Sequence, residues 1–152
     1  MSFVPFVATP PDVVKRMLEL ANTNSQDVLY DLGSGDGRIL ITATKQFNVK
    51  KAIGIELRED LANNTIEDVK RQMLQDKIKI IKGDFHNVPL TDANVITLFL
   101  TTAANERLKP KLEKELKDGT RIVSHDYEIV GWKPYKSEHL GQHTIYLYIF
   151  RK

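Results

Sequence analysis

Apolar residues follow two alternating patterns along the chain. Short continuous apolar runs predict strands buried on both faces, as in a parallel sheet, at residues 28–32, 51–56, 78–82, 93–100 and 119–125. Before and between them, apolar residues recur at helical spacing and predict a helix that starts after the signal Thr9-Pro10-Pro11-Asp12 and runs to about residue 22, and further helices at residues 39–47, 58–74, 101–108 and 110–116. This alternation of strand and helix predicts an α/β fold.

The last apolar run, residues 143–150, differs from the others because both of its alternating faces are apolar. Aliphatic side chains occupy one face, and Tyr146, Tyr148 and Phe150 occupy the other, which predicts a strand covered on both sides. A turn at Gly141-Gln142 precedes it, so we expect a terminal hairpin whose last strand is antiparallel to the rest. The whole pattern predicts a Rossmann-like sheet of seven strands that is mostly parallel, with an antiparallel C-terminal strand.

Residues 1–11 form a segment that cannot be helical. Pro5, Pro10 and Pro11 each restrict their own backbone and that of the preceding residue, so we expect an extended N-terminal arm. Phe3 and Phe6 lie on this arm. They either dock on their own domain or form a lid over an active site.

The composition narrows the possible classes of protein. A length of 152 residues, with 41% hydrophobic and 28% charged residues, predicts one globular domain over residues 1–152. A formal net charge of +2 is too small to predict strong nucleic-acid binding. The sequence has no cysteine, which excludes a disulfide and a cysteine nucleophile.

Neither a metal site nor a membrane segment is predicted. The four histidines show no metal-ligand spacing; they are His86, His125, His139 and His143. No apolar run is long enough to cross a bilayer, and the N-terminus lacks the layout of a signal peptide. We therefore expect a cytoplasmic protein.

The first predicted strand leads into a glycine turn, with the sequence D-L-G-S-G-D-G-R at residues 31–38. Glycines permit positive φ and a close approach of a ligand, and the following helix directs free N–H groups over the turn. A dinucleotide site favours G-x-G-x-x-G, whereas this turn has G-x-G-x-G between Asp31 and Asp36. Negative charge would repel a pyrophosphate, so the turn favours a ligand that carries an ammonium and a sulfonium.

The next two predicted strands also end on acids. Glu56 ends the second strand, where a carboxylate can accept hydrogen bonds from both hydroxyls of a ribose. Asp84 and Phe85 follow the third strand, and this pair suits the exocyclic amine and the ring of an adenine. Parallel strands bring their carboxyl ends to one edge of a sheet, so these residues are expected to converge there.

Several stretches together resemble one family over almost the whole chain. They are Thr9-Pro10 before a helix, V-L-Y-D-L-G-S-G-D-G-R, I-G-I-E, I-K-G-D-F, V-I-T-L-F-L-T, N-E-R-L-K-P-K-L-E-K-E-L and R-I-V-S-H. This set resembles the archaeal broad-specificity protein-lysine methyltransferases and their mitochondrial relatives. It is more distantly similar to the non-SET histone lysine methyltransferases, but it lacks their asparagine near the methyl group and their basic extension.

The resemblance implies an enzyme that uses S-adenosylmethionine to methylate exposed lysines of proteins. The residues expected to bind this cofactor are Thr9, Asp31, Gly33, Ser34, Gly35, Asp36, Gly37, Glu56, Asp84, Phe85 and Leu98. Phe3, Phe6 and Phe99 are candidates for an aromatic channel that receives the lysine. His125 is a weak candidate for a general base.

The expected reaction is direct in-line transfer of a methyl group to the lysine ε-nitrogen. The cofactor is already activated, so the protein mainly positions the two reacting atoms. An apolar channel lowers the pKa of the amine by desolvation and so favours its neutral, reactive form.

Three other functions fit parts of the same pattern. The first is an RNA or small-molecule methyltransferase on the same fold, although the chain lacks an N-P-P-[YF] loop. The second is a nicotinamide-dependent dehydrogenase, which the glycine spacing disfavours. The third is a non-catalytic nucleotide-binding module.

Overall fold

The computed structural model describes residues 6–152, which form an α/β fold around one sheet. The sheet contains seven strands. In chain order they are β1 (Val28–Leu32), β2 (Lys51–Glu56), β3 (Ile78–Lys82), β4 (Val95–Leu98), β5 (Arg121–His125), β6 (Lys136–Leu140) and β7 (His143–Ile149). The helices are α1 (Pro11–Leu20), α2 (Arg38–Phe47), α3 (Glu59–Arg71) and α4 (Thr102–Glu115), with one turn of 3₁₀ helix at Phe85–Asn87.

The strands lie in the order β3-β2-β1-β4-β5-β7-β6. The first five strands pair in parallel, and β7 is antiparallel to both β5 and β6. The predicted seven-stranded, mostly parallel sheet with an antiparallel C-terminal strand is therefore confirmed. The order in which strands are added to the sheet switches at β1, because β2 and β3 lie on one side of it and β4 and β5 lie on the other. Open α/β sheets bind their ligands at such a position, beyond the carboxyl ends of the strands.

Helices cover both faces of the sheet. Helices α1 to α3 pack on one face, where Leu18, Leu40 and Val69 join a core with Val123 and Leu147.

Helix α4 covers the other face. Its Leu108 and Leu112, together with Leu116 just beyond its end, are fully buried, as their helical register predicts. Each such leucine contributes about 1.5–3 kcal/mol relative to an exposed one. Strand β7 contributes to both cores, with Leu147 on one side and Tyr148 on the other.

The helix ends follow local sequence signals. Helix α1 begins at Pro11, so the predicted extended arm ends at Pro10 rather than at Pro11. Helix α4 begins after Thr101, whose hydroxyl accepts a 3.0 Å hydrogen bond from the Ala104 N–H.

Some boundaries differ from the predicted ones. Helix α4 is continuous through Pro110, whereas the sequence predicts two segments. A proline inside a helix removes one hydrogen bond, but the burial of Leu108 and Leu112 on either side stabilises the helix through it. Strand β4 covers only Val95–Leu98 of the predicted 93–100, since the chain turns toward α4 after Leu98. Within residues 6–152, no helix is long and apolar enough to cross a membrane.

Candidate active site

A cavity of about 420 Å³ lies at the carboxyl edge of the sheet, beside β1, β2 and β4. Its wall combines the glycine turn, the ends of β1 and β2, the segment after β4 and the arm. Eight predicted site residues line it: Phe6, Thr9, Asp31, Gly33, Ser34, Asp36, Glu56 and Phe99. The structure thus brings residues from the first two predicted strand ends together at this edge, and their role as a binding site stays a prediction.

The glycine turn is fastened to β2 by backbone hydrogen bonds. The N–H groups of Gly33 and Ser34 both donate to the carbonyl of Ile55, at 2.8 and 3.1 Å. Gly33, Gly35 and Gly37 all have positive φ, at 81°, 58° and 80°. A residue with a Cβ is strained in this region, which explains the three alternate glycines.

Asp31 supplies a buried carboxylate at the end of β1. Its side chain is almost fully buried, and its Oδ1 accepts a 2.8 Å hydrogen bond from the Thr97 hydroxyl. Burial is the main reason that the pKa of Asp31 is raised to about 7; the bond from Thr97 lowers the pKa, and the nearby charges of Glu56 and Asp36 raise it. A carboxylate held in this way is stabilised by a cation placed beside it.

Glu56 bridges the glycine turn and the segment after β2. Its Oε1 accepts a hydrogen bond from the Gly35 N–H at 2.7 Å, and its Oε2 accepts one from the Arg58 N–H at 2.9 Å. Each carboxylate oxygen has two lone-pair directions, so both retain capacity for a ligand hydroxyl. The two backbone bonds fix the carboxylate in place, as hydrogen bonding to a ribose requires.

Asp36 and Thr9 are joined by a residue that the sequence prediction did not include, Arg38. Its guanidinium forms an ion pair with Asp36 at 2.6 Å and donates to the Thr9 carbonyl at 3.1 Å. Although burial raises the pKa of Asp36, the bonds from Arg38 hold it below its ordinary value. The Asp36 charge is therefore compensated within the chain, and the electrostatic selection against a pyrophosphate rests on Asp31 rather than on both acids.

Aromatic side chains line the part of the cavity nearest the arm. Phe6 and Phe99 are joined there by Tyr127, whose ring lies 6.2 Å from that of Phe99. The ring of Phe6 lies so close to Gly35 that a Cβ at this glycine would collide with it. Asn105 of α4 donates to the carbonyls of Tyr127 and Glu128, at 3.1 and 3.2 Å, which fixes the loop that carries Tyr127.

Other predicted site residues do not line this cavity. Gly35 and Gly37 shape the turn, and Leu98 is fully buried in the core. Asp84 accepts a 2.9 Å bond from the His86 N–H, and Phe85 packs against the sheet. Phe3 lies outside the described residues.

His125 lies behind the cavity wall and does not line the cavity. It is fully buried beneath Phe99, with a ring-centroid distance of 4.0 Å. Its Nδ1 is 3.0 Å from the Thr9 hydroxyl, and its Nε2 is 2.8 Å from His143 Nδ1. Burial lowers the pKa of His125, so the ring is held neutral, and both ring nitrogens are engaged within the protein.

The residues that sequence reasoning missed are Arg38, Tyr127 and Asn105. Arg38 gave a signal, because a cation directly after an acid and a glycine is placed to pair with that acid. Tyr127 and Asn105 meet only when the loop after β5 packs on α4, and no local pattern predicts that contact.

The cavity has the chemistry that S-adenosylmethionine requires. The buried Asp31 offers a partner for an ammonium, and Glu56 offers acceptors for hydroxyls. The Ser34 Oγ is buried against Gly54 of β2 and has no hydrogen-bond partner among residues 6–152. A glycine turn and a helix N-terminus at the carboxyl edge of a seven-stranded sheet form a nucleotide-type cofactor site, and its acids suit the S-adenosylmethionine of a methyltransferase.

Comparison with known proteins identifies the family. Residues 31–136 match the model of the ANTKMT methyltransferase domain, and the chain belongs to this family. A protein-lysine N-methyltransferase from Saccharolobus islandicus is 49% identical over 96% of this chain and 93% of its own length. The adenine nucleotide translocase lysine N-methyltransferase of Mus musculus is 30% identical over 86% of this chain, which spans 56% of that protein.

The fold also matches a solved structure closely. The crystal structure of an RNA methyltransferase from Salinibacter ruber in complex with S-adenosyl-L-homocysteine has a TM-score of 0.93 and 38% identity. The match covers 96% of this chain and 95% of that one. The demethylated cofactor in that complex agrees with S-adenosylmethionine as the methyl donor here.

Proposed function

We propose that this cavity serves the methylation of lysine side chains in proteins. The chain is an S-adenosylmethionine-dependent protein-lysine N-methyltransferase. One observation carries this assignment: the 49% identity, over nearly the full length of both chains, to an archaeal protein-lysine N-methyltransferase. The relatives that are named for lysines of the adenine nucleotide translocase and of ATP synthase support the same acceptor group.

The described residues suggest how the methyl donor is held. Asp31 binds its ammonium, Glu56 binds the ribose hydroxyls, and Ser34 and the glycine turn complete the contact. Thr9 and Asp36 lie on the same wall, where Arg38 fixes both. Asp84 and Phe85 are proposed as the adenine contacts. Leu98, predicted as a further cofactor-binding residue, is fully buried in the core and does not line the cavity. When bound, the donor supplies a methyl group on a positively charged sulfur.

The aromatic part of the cavity would receive the lysine. Phe6, Phe99 and Tyr127 exclude water from the amine, and desolvation lowers its pKa toward the neutral, nucleophilic form. The lysine would enter this channel as the neutral amine, after its ammonium has lost a proton to bulk water. The nitrogen lone pair would then form a bond to the methyl carbon while the carbon–sulfur bond breaks, and the bonding pair would stay on sulfur, which leaves as a neutral thioether. Asp36 is paired with Arg38. Asp31 and Glu56 are assigned to the ammonium and the ribose of the donor, so positioning and desolvation carry the catalysis rather than a dedicated base.

The expected partners are proteins that present exposed lysines. The cytoplasmic location, the archaeal-like character and the absence of strong nucleic-acid binding remain predictions from the sequence. Of these three predictions, the one on nucleic-acid binding rests on the small net charge of +2.

An RNA substrate is the second candidate. The observation that favours it is the 38% identity to the Salinibacter ruber protein, which is named as an RNA methyltransferase. The acceptor must therefore be determined directly.

Labelled methyl transfer to separated cell fractions decides between the two. The purified protein is incubated with S-adenosylmethionine carrying a deuterated methyl group, together with either total protein or total RNA, and the products are analysed by mass spectrometry. We expect the deuterated methyl group on lysine, and none with Asp31→Asn. Label in RNA nucleosides and none in lysine would contradict the lysine assignment.

A further inference from the structure

We propose that His125, Asp126 and His143 form a binding site for a divalent transition metal of the zinc type, behind the wall of the cavity. The sequence predicts no metal site, because these histidines are 18 residues apart and show no ligand spacing. The antiparallel register of β5 and β7 brings them together, since His125 at the end of β5 pairs with Ile145 of β7. His143 thereby reaches the same end of the sheet.

The three ligand atoms are close to the spacing of a tetrahedral metal site. His125 Nε2 and His143 Nδ1 are each 3.3 Å from Asp126 Oδ2, and they are 2.8 Å from each other. Metal bonds of about 2.0–2.2 Å at tetrahedral angles place neighbouring ligand atoms roughly 3.3 Å apart. Two of the three separations therefore already fit, and the third must widen by about 0.5 Å.

The contacts behind the ligand atoms are those that orient metal ligands. The Nδ1 of His125 lies 3.0 Å from the Thr9 hydroxyl, which leaves Nε2 as the ligand atom. The other oxygen of Asp126 accepts a 3.0 Å bond from the Thr144 N–H. Hydrogen bonds of this kind fix the orientation of the imidazole and the carboxylate in metal sites.

The protonation of the cluster also suits a metal. In the ion-free protein the 2.8 Å contact between His125 Nε2 and His143 Nδ1 needs one N–H, which either nitrogen can carry. On metal binding, this proton moves to the other nitrogen of the same ring, and both ligand nitrogens then offer lone pairs. No oxidant or further reactant is required.

The partial exposure of the cluster gives a metal ion access from solvent and leaves one of its coordination positions open to water. The side chain of His125 is fully buried, whereas those of Asp126 and His143 are 28% and 34% exposed. A metal ion can enter from solvent and complete its coordination with water. An occupied site would link the end of β5, the terminal hairpin and Thr9 of the arm, and so stabilise the wall that carries Thr9 and Phe99.

Metal binding is measured on the intact protein after treatment with a chelator. Zinc is titrated by calorimetry at about pH 7.5, where the ligands are available, and the melting temperature is recorded with and without zinc. The variants are His143→Ala, which removes a half-exposed ligand, and Asp126→Asn. Asp126 has a φ of 65°, which asparagine also tolerates, so the second variant retains the backbone. His86→Ala is the matched control, since His86 follows β3, at the opposite edge of the sheet.

We expect one zinc ion per chain and a higher melting temperature with zinc. Each cluster variant should weaken binding at least about 100-fold, while His86→Ala should leave it unchanged. No saturable binding, or binding that survives His143→Ala, would overturn the proposal. Binding of S-adenosylhomocysteine is measured on the zinc-free protein, where it does not depend on the metal site, so a failure of the metal site is distinguishable from a failure of the methyltransferase function.

Discussion

Asp31 is the residue whose charge state controls the cavity. Its carboxylate is buried, and its pKa is raised to about 7. An ammonium beside it restores the ionised form. Binding of a cationic ligand is therefore coupled to loss of a proton from this one residue.

We predict that the affinity for S-adenosylmethionine falls as the pH drops below 7. Because the ligand needs ionised Asp31, the dissociation constant should rise about tenfold for each pH unit below the pKa of about 7. Calorimetric titrations across this range test the prediction. In Asp31→Asn, binding should be weak and lack this dependence, and a wild-type affinity that does not change with pH would contradict the role of Asp31.

The raised pKa of Asp31 also predicts that the ligand-free protein becomes less stable as the pH rises, which is opposite to the pH dependence of ligand binding. The folded pKa of about 7 lies above the ordinary value of 3.8, so folding favours the protonated form. This stabilisation is present at low pH and is lost as the pH rises through about 7. Without ligand, Asp31→Asn should therefore melt several degrees higher than the wild type above this pH. An unchanged or lower melting temperature would show that the buried, ionised carboxylate does not destabilise the folded protein.

Residue by residue, the sequence predicts the acids at strand ends better than it predicts their partners. Asp31 and Glu56 could be identified because each ends an apolar run, and a strand end needs no tertiary information. The pairing of Asp36 with Arg38, and that of Thr97 with Asp31, require side-chain directions that periodicity does not contain. The sequence therefore indicates a free negative charge on Asp36 at the ligand site, whereas in the structure Arg38 compensates this charge.

Among the elements, β2 supports the glycine turn through a glycine of its own. A Cβ on Gly54 would lie 2.5 Å from Leu40 Cδ1 and 2.6 Å from Ser34 Oγ. Gly54 thus lets the turn and α2 approach the strand. Nothing in the run 51–56 distinguishes this glycine from a strand residue of low propensity, so its function was not predictable.

We predict that Gly54→Ala destabilises the protein by about 1–3 kcal/mol, because the new methyl group overpacks the contact with Leu40 and Ser34. Urea unfolding measures this change. Gly141→Ala is the control, because its position has a φ of 62° but open space around it, so that only backbone strain of about 1–2 kcal/mol is added. Gly54→Ala should also weaken cofactor binding, whereas Gly141→Ala should not. Equal effects of the two variants on binding would contradict a supporting role for Gly54.

The described part of the arm, residues 6–10, lines the cavity, and Arg38 attaches it through the Thr9 carbonyl. We predict that Arg38→Met, which keeps the aliphatic stem, weakens cofactor binding about tenfold, because it leaves Asp36 unpaired and frees the Thr9 carbonyl. The free energy of unfolding should change by less than about 1 kcal/mol, since the ion pair is partly exposed. Chymotrypsin should cleave Arg38→Met after Phe6 faster than it cleaves the wild type, because the arm is no longer attached through the Thr9 carbonyl.

Arg71→Met is the control for this variant. Arg71 forms an exposed ion pair with Asp68 on α3 and does not line the cavity. Its replacement should leave both cofactor binding and proteolysis unchanged. If Arg38→Met also leaves both unchanged, the arm is held by its apolar contacts alone.

In the whole molecule, the order of the strands concentrates the chemistry at one edge. The sequence predicts this architecture because buried strands, helical periodicity and a final two-faced strand are local patterns. It does not predict the meeting of His125 and His143, which depends on the register between β5 and β7. The lysine acceptor is predicted through the family resemblance of several stretches and not through the chemistry of any single residue.

The central claim is that the cavity beside β1 and β2 binds S-adenosylmethionine through Asp31 and Glu56. A crystal structure of the protein with S-adenosyl-L-homocysteine tests it most directly. We predict that the amino group of the ligand lies within hydrogen-bonding distance of Asp31 and that both ribose hydroxyls contact Glu56. A ligand bound elsewhere, with Glu56 still engaged only by Gly35 and Arg58, would contradict the account.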